Sequence, residues 1–197
     1  MKKRKLKISL VEFLQNGNFG PFIPRQDCSP EDVIAILGKP SAIEVHAMGK
    51  EFAPYTTGDA SLFPVIVCYG SIEFHFDSPS TLYTIHSDTP FDGVPIGGSL
   101  KLLDSALLRF GRTMSEFLHL AKERGITILN EPVKTPHWSA WEIKTNGGIT
   151  LHFENDDPEE ASNAKAPLRA FSWRPGPKNQ STVQPDIQPD PDGSAAT

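Results

Sequence analysis

The clearest pattern in the chain is a change of period. From Ser29 it reads Ser-Pro-Glu-Asp-Val-Ile-Ala-Ile-Leu-Gly-Lys-Pro, with Val33, Ile34 and Leu37 at helical spacing. Ser29 suits the N-cap, Pro30 the first helical position and Asp32 the third residue of a capping box, while Gly38 and Pro40 stop the helix. A shorter helix is predicted over 9–15. Further on the period becomes two: Ile72, Phe74 and Phe76 alternate strictly with Glu73, His75 and Asp77, which predicts a half-buried strand. A partner strand over 65–69 joins it across Gly70-Ser71, where a first central glycine fits a type II′ hairpin. Strands over 82–86 and 43–48 complete the set.

The second half repeats this order. Helical patterns run over 100–110 and 113–124, Gly125 is a stop signal, and strands are predicted near 138–145, 149–154 and 168–173. Gly70-Ser71-Ile72-Glu73-Phe74-His75-Phe76-Asp77 aligns with Gly147-Gly148-Ile149-Thr150-Leu151-His152-Phe153-Glu154, sharing a turn glycine, the isoleucine, the His-Phe pair and a final acid. Asn18-Phe19-Gly20 and Arg109-Phe110-Gly111 stand between the two predicted helices of each half. The expectation is an α+β fold of two tandem units, 9–92 and 93–174, each a helix-loop-helix followed by a three- to four-stranded antiparallel sheet. A basic start over 1–8 precedes them. The Pro/Asp-rich stretch over 175–197 has almost nothing apolar to bury and is expected to be disordered.

Composition narrows the class. Apolar residues make up 38% and charged residues 22% of 197, which fits a globular chain. The net charge of −5 argues against general nucleic-acid binding, which rests on cations neutralising phosphates. The one dense basic run, Met1-Lys2-Lys3-Arg4-Lys5-Leu6-Lys7, reads as a frayed, solubilising start. Lys7, Ser9 and Glu12 interrupt the apolar stretch behind it, so it does not read as a secretory signal, and no run approaches the ~20 apolar residues of a membrane span. Cys28 and Cys68 are read as reduced thiols, Cys68 as a buried small hydrophobe. A cytoplasmic protein is expected.

Candidate chemistry lies on the alternating strands. Glu73, His75 and Asp77 leave one face of their strand, and Thr84, His86 and Asp88 of the next strand share it. Histidines and carboxylates on adjacent strands are the materials of a metal or acid–base site. A solvated outer sheet face explains the same alternation and is the reading adopted. The second half keeps His152 and Glu154 but has Thr150 in place of Glu73. No His-Glu-x-x-His, Cys-x-x-Cys, Gly-x-Ser-x-Gly, P-loop or dinucleotide spacing occurs, and Gly93-Val94-Pro95-Ile96-Gly97-Gly98 reads as a bend. No catalytic residue, metal or cofactor is therefore assigned. Trp138 and Trp141 point to opposite faces of one predicted strand, so one of them is expected to lie outside the core, either exposed beside Glu142, His152 and Arg169 as a binding hot spot or packed under the loop over 156–165.

The duplicated helix-then-sheet pattern, carried by Ser29 to Val33 and Leu37-Gly38-Lys39-Pro40, resembles the layout of beta-lactamase inhibitory protein. That family is secreted and disulfide-containing, so its target and contact residues do not transfer. Phe19-Gly20-Pro21, the Val33 to Pro40 helix and the Tyr69 to Phe76 strand resemble small uncharacterised bacterial proteins of immunity type, encoded beside toxins, over roughly residues 9–90. That resemblance implies a cytoplasmic inhibitor that masks another protein; the polar strand faces and the tryptophans offer Glu73, His75, Asp77, His86, Asp88, Trp138, Trp141 and His152 as its contact residues. A basic toxin or nuclease suits the acidic balance. The competing readings are a metal-dependent hydrolase built on His75 and His86, and a non-catalytic subunit of a larger assembly.

Overall fold

The computed structural model describes residues 5–88, 97–135, 140–155 and 163–175. Three helices are set by local capping. The first, α1 (Leu10–Asn16), begins where the Ser9 hydroxyl accepts from the Glu12 N–H and ends at Gly17, which takes φ 75°. The second, α2 (Pro30–Leu37), carries the full Ser29–Asp32 capping box and stops at Gly38. A third, α3 (Met114–Glu123), has the same device in Thr113 and Glu116. Each box satisfies N–H groups that a helix start leaves without partners.

Eight strands make one antiparallel sheet. They are β2 (Ala42–Val45), β3 (Val65–Tyr69), β4 (Ile72–Ser78), β5 (Thr81–Ser87), β7 (Val133–Lys134), β8 (Ala140–Lys144), β9 (Ile149–Glu154) and β10 (Leu168–Trp173), in the order β2-β3-β4-β5-β10-β9-β8-β7. Two runs of four strands thus meet where β5 pairs with β10, Ser87 opposite Phe171 and His86 opposite Ser172. The β3–β4 hairpin turns at Gly70, whose φ of 71° is the value a type II′ turn demands there.

The helices cover one face of this sheet. Ile72, Phe74 and Phe76 of β4, Leu151 and Phe153 of β9, and Phe171 of β10 point into a continuous core and are fully buried. Phe13 of α1 meets Phe19 edge-on at 5.3 Å and Phe171 at 5.9 Å; Phe19, Phe22 and Tyr69 meet Phe74 at 5.6–5.8 Å. Burying each such ring contributes about 1.5–3 kcal/mol, and each edge-on pair about 0.5–1.5 kcal/mol more. Phe117 of α3 packs on Phe153, extending the core under the second run.

Three expectations are corrected. The helix expected over 100–110 is instead β6 (Leu100–Leu103) followed by a 3₁₀ turn at Ser105–Leu108. The apolar spacing there imitates a helix, but the backbone pairs in parallel with β1 (Leu6–Ser9), Leu6 opposite Leu100, and Asp104 at φ 58° breaks helical continuity. The supposedly frayed start therefore contains a strand, and Ile8 is fully buried. The expected strand over 43–48 is shorter, ending at Val45. Disorder over 175–197, the bend over 93–98 and the strand start near 138 concern positions that, apart from Pro175, Gly97 and Gly98, lie outside the described residues.

Candidate functional site

The sheet's other face carries the polar residues of β4, β5, β10, β9 and β8. Strict alternation puts Glu73, His75 and Asp77 of β4 there, because Ile72, Phe74 and Phe76 hold the core side. On β5 a register shift opposite His75 and Phe76 leaves Tyr83 displaced outward, 45% exposed, and returns Thr84 and His86 to the polar face. On β10, Phe171 and Trp173 point inward, so Ser172 between them points outward.

Each histidine on this face is held by one carboxylate. His75 Nε2 lies 2.9 Å from Glu73, His86 Nε2 bonds Asp88, and His152 Nδ1 lies 3.1 Å from Glu142. The rings of His75 and His86 stand edge to face at 6.2 Å. The hydroxyl of Ser172 bonds His152 at its other nitrogen, Nε2, at 3.2 Å. Thr84 donates to the Trp173 carbonyl at 2.7 Å, tying β5 to β10 beneath these groups.

His75, Thr84 and Ser172 line a depression of about 550 Å³, Asp88 an adjoining one of about 420 Å³, and His86, Glu142, His152 and Arg174 border both. Lys144 and Thr150 line the larger one, Asp88 and Arg169 the smaller. Arg174 lies over the Tyr83 ring at 5.4 Å. Burial lowers the pKa of His152, the nearby Glu142 raises it, and His86 lowers it further, with a net downward shift. Cys68, opposite Glu73 on β3, is pushed up to about 12 by burial first and by Glu44 and Glu73 after it.

Of the residues singled out from the sequence, Glu73, His75, His86, Asp88 and His152 are brought together, and Asp77 sits at the exposed end of β4. Trp141 does not join them. It packs against the core side, directly opposite Phe153, with the Lys134 ammonium 5.9 Å from its ring centre. Trp138 lies outside the described residues. Among the described residues no three His, Cys, Asp or Glu side chains are placed to hold a metal ion. Thr84 lies on the polar face, as expected, whereas sequence reasoning passed over Ser172, Lys144 and Arg174; the alternation of Phe171, Ser172 and Trp173 was the one available signal for an outward serine.

No family model matches this chain, and comparison with curated proteins and with solved structures finds no significant match.

Proposed function

We propose that this chain is a protein-binding module of immunity or inhibitor type, masking a basic toxin or nuclease with the outer face of its eight-stranded sheet. The observation that carries the reading is the acid lining of that face. Glu73, Asp77, Asp88, Glu142 and Glu154 outnumber Lys144, Arg169 and Arg174, and all five acids but Asp88, which lies just past the end of β5, stand on strands. Such a surface attracts a cationic partner over long range and fixes its register at short range. Cys28 and Cys68 are free and buried, which supports work in a reducing compartment such as the cytoplasm.

The tandem-unit reading belongs to the same proposal. Its support is the symmetry of the strand order: β4 with Ile72, His75 and Phe76 and β9 with Ile149, His152 and Phe153 flank the β5–β10 join on opposite sides. Two such units side by side extend one face beyond what either offers alone.

The test is to capture the partner from the native cells and titrate the purified pair by calorimetry. Glu73→Lys combined with Asp77→Lys lowers the affinity about tenfold or more, added salt weakens the wild-type complex, and thermal unfolding of the free protein stays where it was. A partner with an acidic contact surface, or an affinity indifferent to the double reversal, rejects the reading.

A further inference from the structure

Three neighbouring strands place Ser172, His152 and Glu142 in line. Glu142 and His152 are direct partners across β8 and β9, so their side chains leave the same face, and Ser172 of β10 stands diagonally from His152, opposite Thr150. Ser172 Oγ is 3.2 Å from His152 Nε2 and Glu142 Oε1 is 3.1 Å from Nδ1. The two contacts use different ring nitrogens. A carboxylate only accepts, so the proton stays on Nδ1, which donates it in a hydrogen bond to Glu142, and the Nε2 lone pair faces the serine hydroxyl. Nucleophile, base and orienting acid in that sequence are what activates a serine for covalent catalysis, whatever the fold.

We infer that Ser172, His152 and Glu142 form a hydrolytic site for small esters that carry an anionic group, with Ser172 as the nucleophile.

The surroundings fit that chemistry. All three residues lie on hydrogen-bonded strands whose inward neighbours Ile143, Leu151, Phe153, Phe171 and Trp173 are buried, so their backbone positions are held. Burial keeps the His152 imidazole neutral at pH 7 and available as a base. The charged groups around it are Glu142 and Lys144 from β8, Glu154 from β9, Arg169 of β10 with Arg174 following it, and His86 of β5 with Asp88 just past that strand's end. The depression of about 550 Å³ has the size of a small-molecule site. Arg174 and Lys144 on its wall supply positive charge to a substrate anion and to the oxyanion that develops during acyl transfer.

In the reaction, Ser172 Oγ bonds the ester carbonyl carbon as its proton passes to His152 Nε2. That proton then goes to the leaving alkoxide oxygen as the carbon–oxygen bond breaks, releasing the alcohol and leaving an acyl-serine. Water, deprotonated by the same nitrogen, attacks the acyl carbon and frees the acid and Ser172. Glu142 keeps its charge throughout and stabilises the imidazolium. One ester and one water give one acid and one alcohol.

This site goes beyond the binding proposal, which stands or falls on Glu73 and Asp77, residues that the following experiment leaves untouched. Full-length protein is treated with a fluorophosphonate and, separately, with p-nitrophenyl acetate and mono-p-nitrophenyl succinate. The expected result is one phosphonyl adduct mapped to Ser172 with loss of fluoride, and turnover of both esters with the succinyl one preferred. Ser172→Ala and His152→Ala each lower kcat/KM by about 100-fold or more at unchanged circular dichroism. Glu142→Gln lowers kcat and moves the acidic limb of the pH profile, which His152 sets, to lower pH, and Arg174→Ala abolishes the preference for the succinyl ester. An adduct on another residue, turnover that survives Ser172→Ala, or a wild-type protein that neither labels nor turns over would overturn the inference.

Discussion

The Gly147 N–H donates to the Leu14 carbonyl at 2.9 Å, fastening the β8–β9 hairpin to the end of α1. A methyl group on Gly147 would stand 2.5 Å from the Phe13 carbonyl oxygen, 2.6 Å from the Gly17 nitrogen and 2.7 Å from the Leu14 carbonyl oxygen. All three atoms are backbone and cannot rotate aside. Gly147→Ala is therefore expected to cost about 2–3 kcal/mol of stability in urea unfolding, by forcing the hairpin off the helix. The adjacent Gly148 has open space around it and is constrained only by its φ of 78°. Its replacement by alanine costs about 1 kcal/mol. A larger loss at Gly148 than at Gly147 would contradict the packing argument.

The two thiols are expected to be inert in the folded protein. Burial, with Asp32 adding to it, raises Cys28 to about 11, and burial with Glu44 and Glu73 raises Cys68 to about 12. The thiolate is the reactive species, so at pH 8 neither cysteine holds a useful fraction of it. Ellman's reagent should label both only after denaturant is added. Fast labelling of either in native buffer would show that its side chain is open to solvent.

His152 gives stability a definite pH slope. Its folded pKa lies below that of the unfolded chain, about 6.5, because burial disfavours the charged ring more than Glu142 favours it. On acidification the unfolded chain therefore binds this proton first. The stabilising contribution is complete above about pH 6.5 and is lost as pH falls from there through the folded pKa. Urea midpoints measured from pH 8 to pH 5 should decline, and His152→Gln should flatten that decline. A slope unaltered by the substitution would assign it to other groups.

The start and stop of α2 and the first hairpin were legible in the residues themselves. Ser29, Pro30, Asp32 and Gly38 act within one or two turns of one another, and Gly70 needs only its own φ, so no distant contact was required to read them. The outward position of Glu73, His75 and Asp77 followed from alternation alone, for the same local reason. The stretch over 100–110 misled because its leucines satisfy a helical spacing, while the hydrogen bonds that made Leu100–Leu103 a strand come from Leu6–Ser9, far away along the chain. Strand propensity yields to such pairing.

By itself, then, the sequence determined the mixed helix-and-strand character, the capped ends of α1, α2 and α3, and which side chains of β4 and β9 turn toward the core, since each depends on neighbours a few positions away. Only the tertiary structure decided that β5 lies beside β10 in a single sheet, that Trp141 turns to the core side, and that Ser172, His152 and Glu142 stand in line. Those facts depend on strand order and register between distant segments. A slip of one residue would turn Ser172 inward and Phe171 outward, so it is the packing of the shared core that sets the register and, through it, the site.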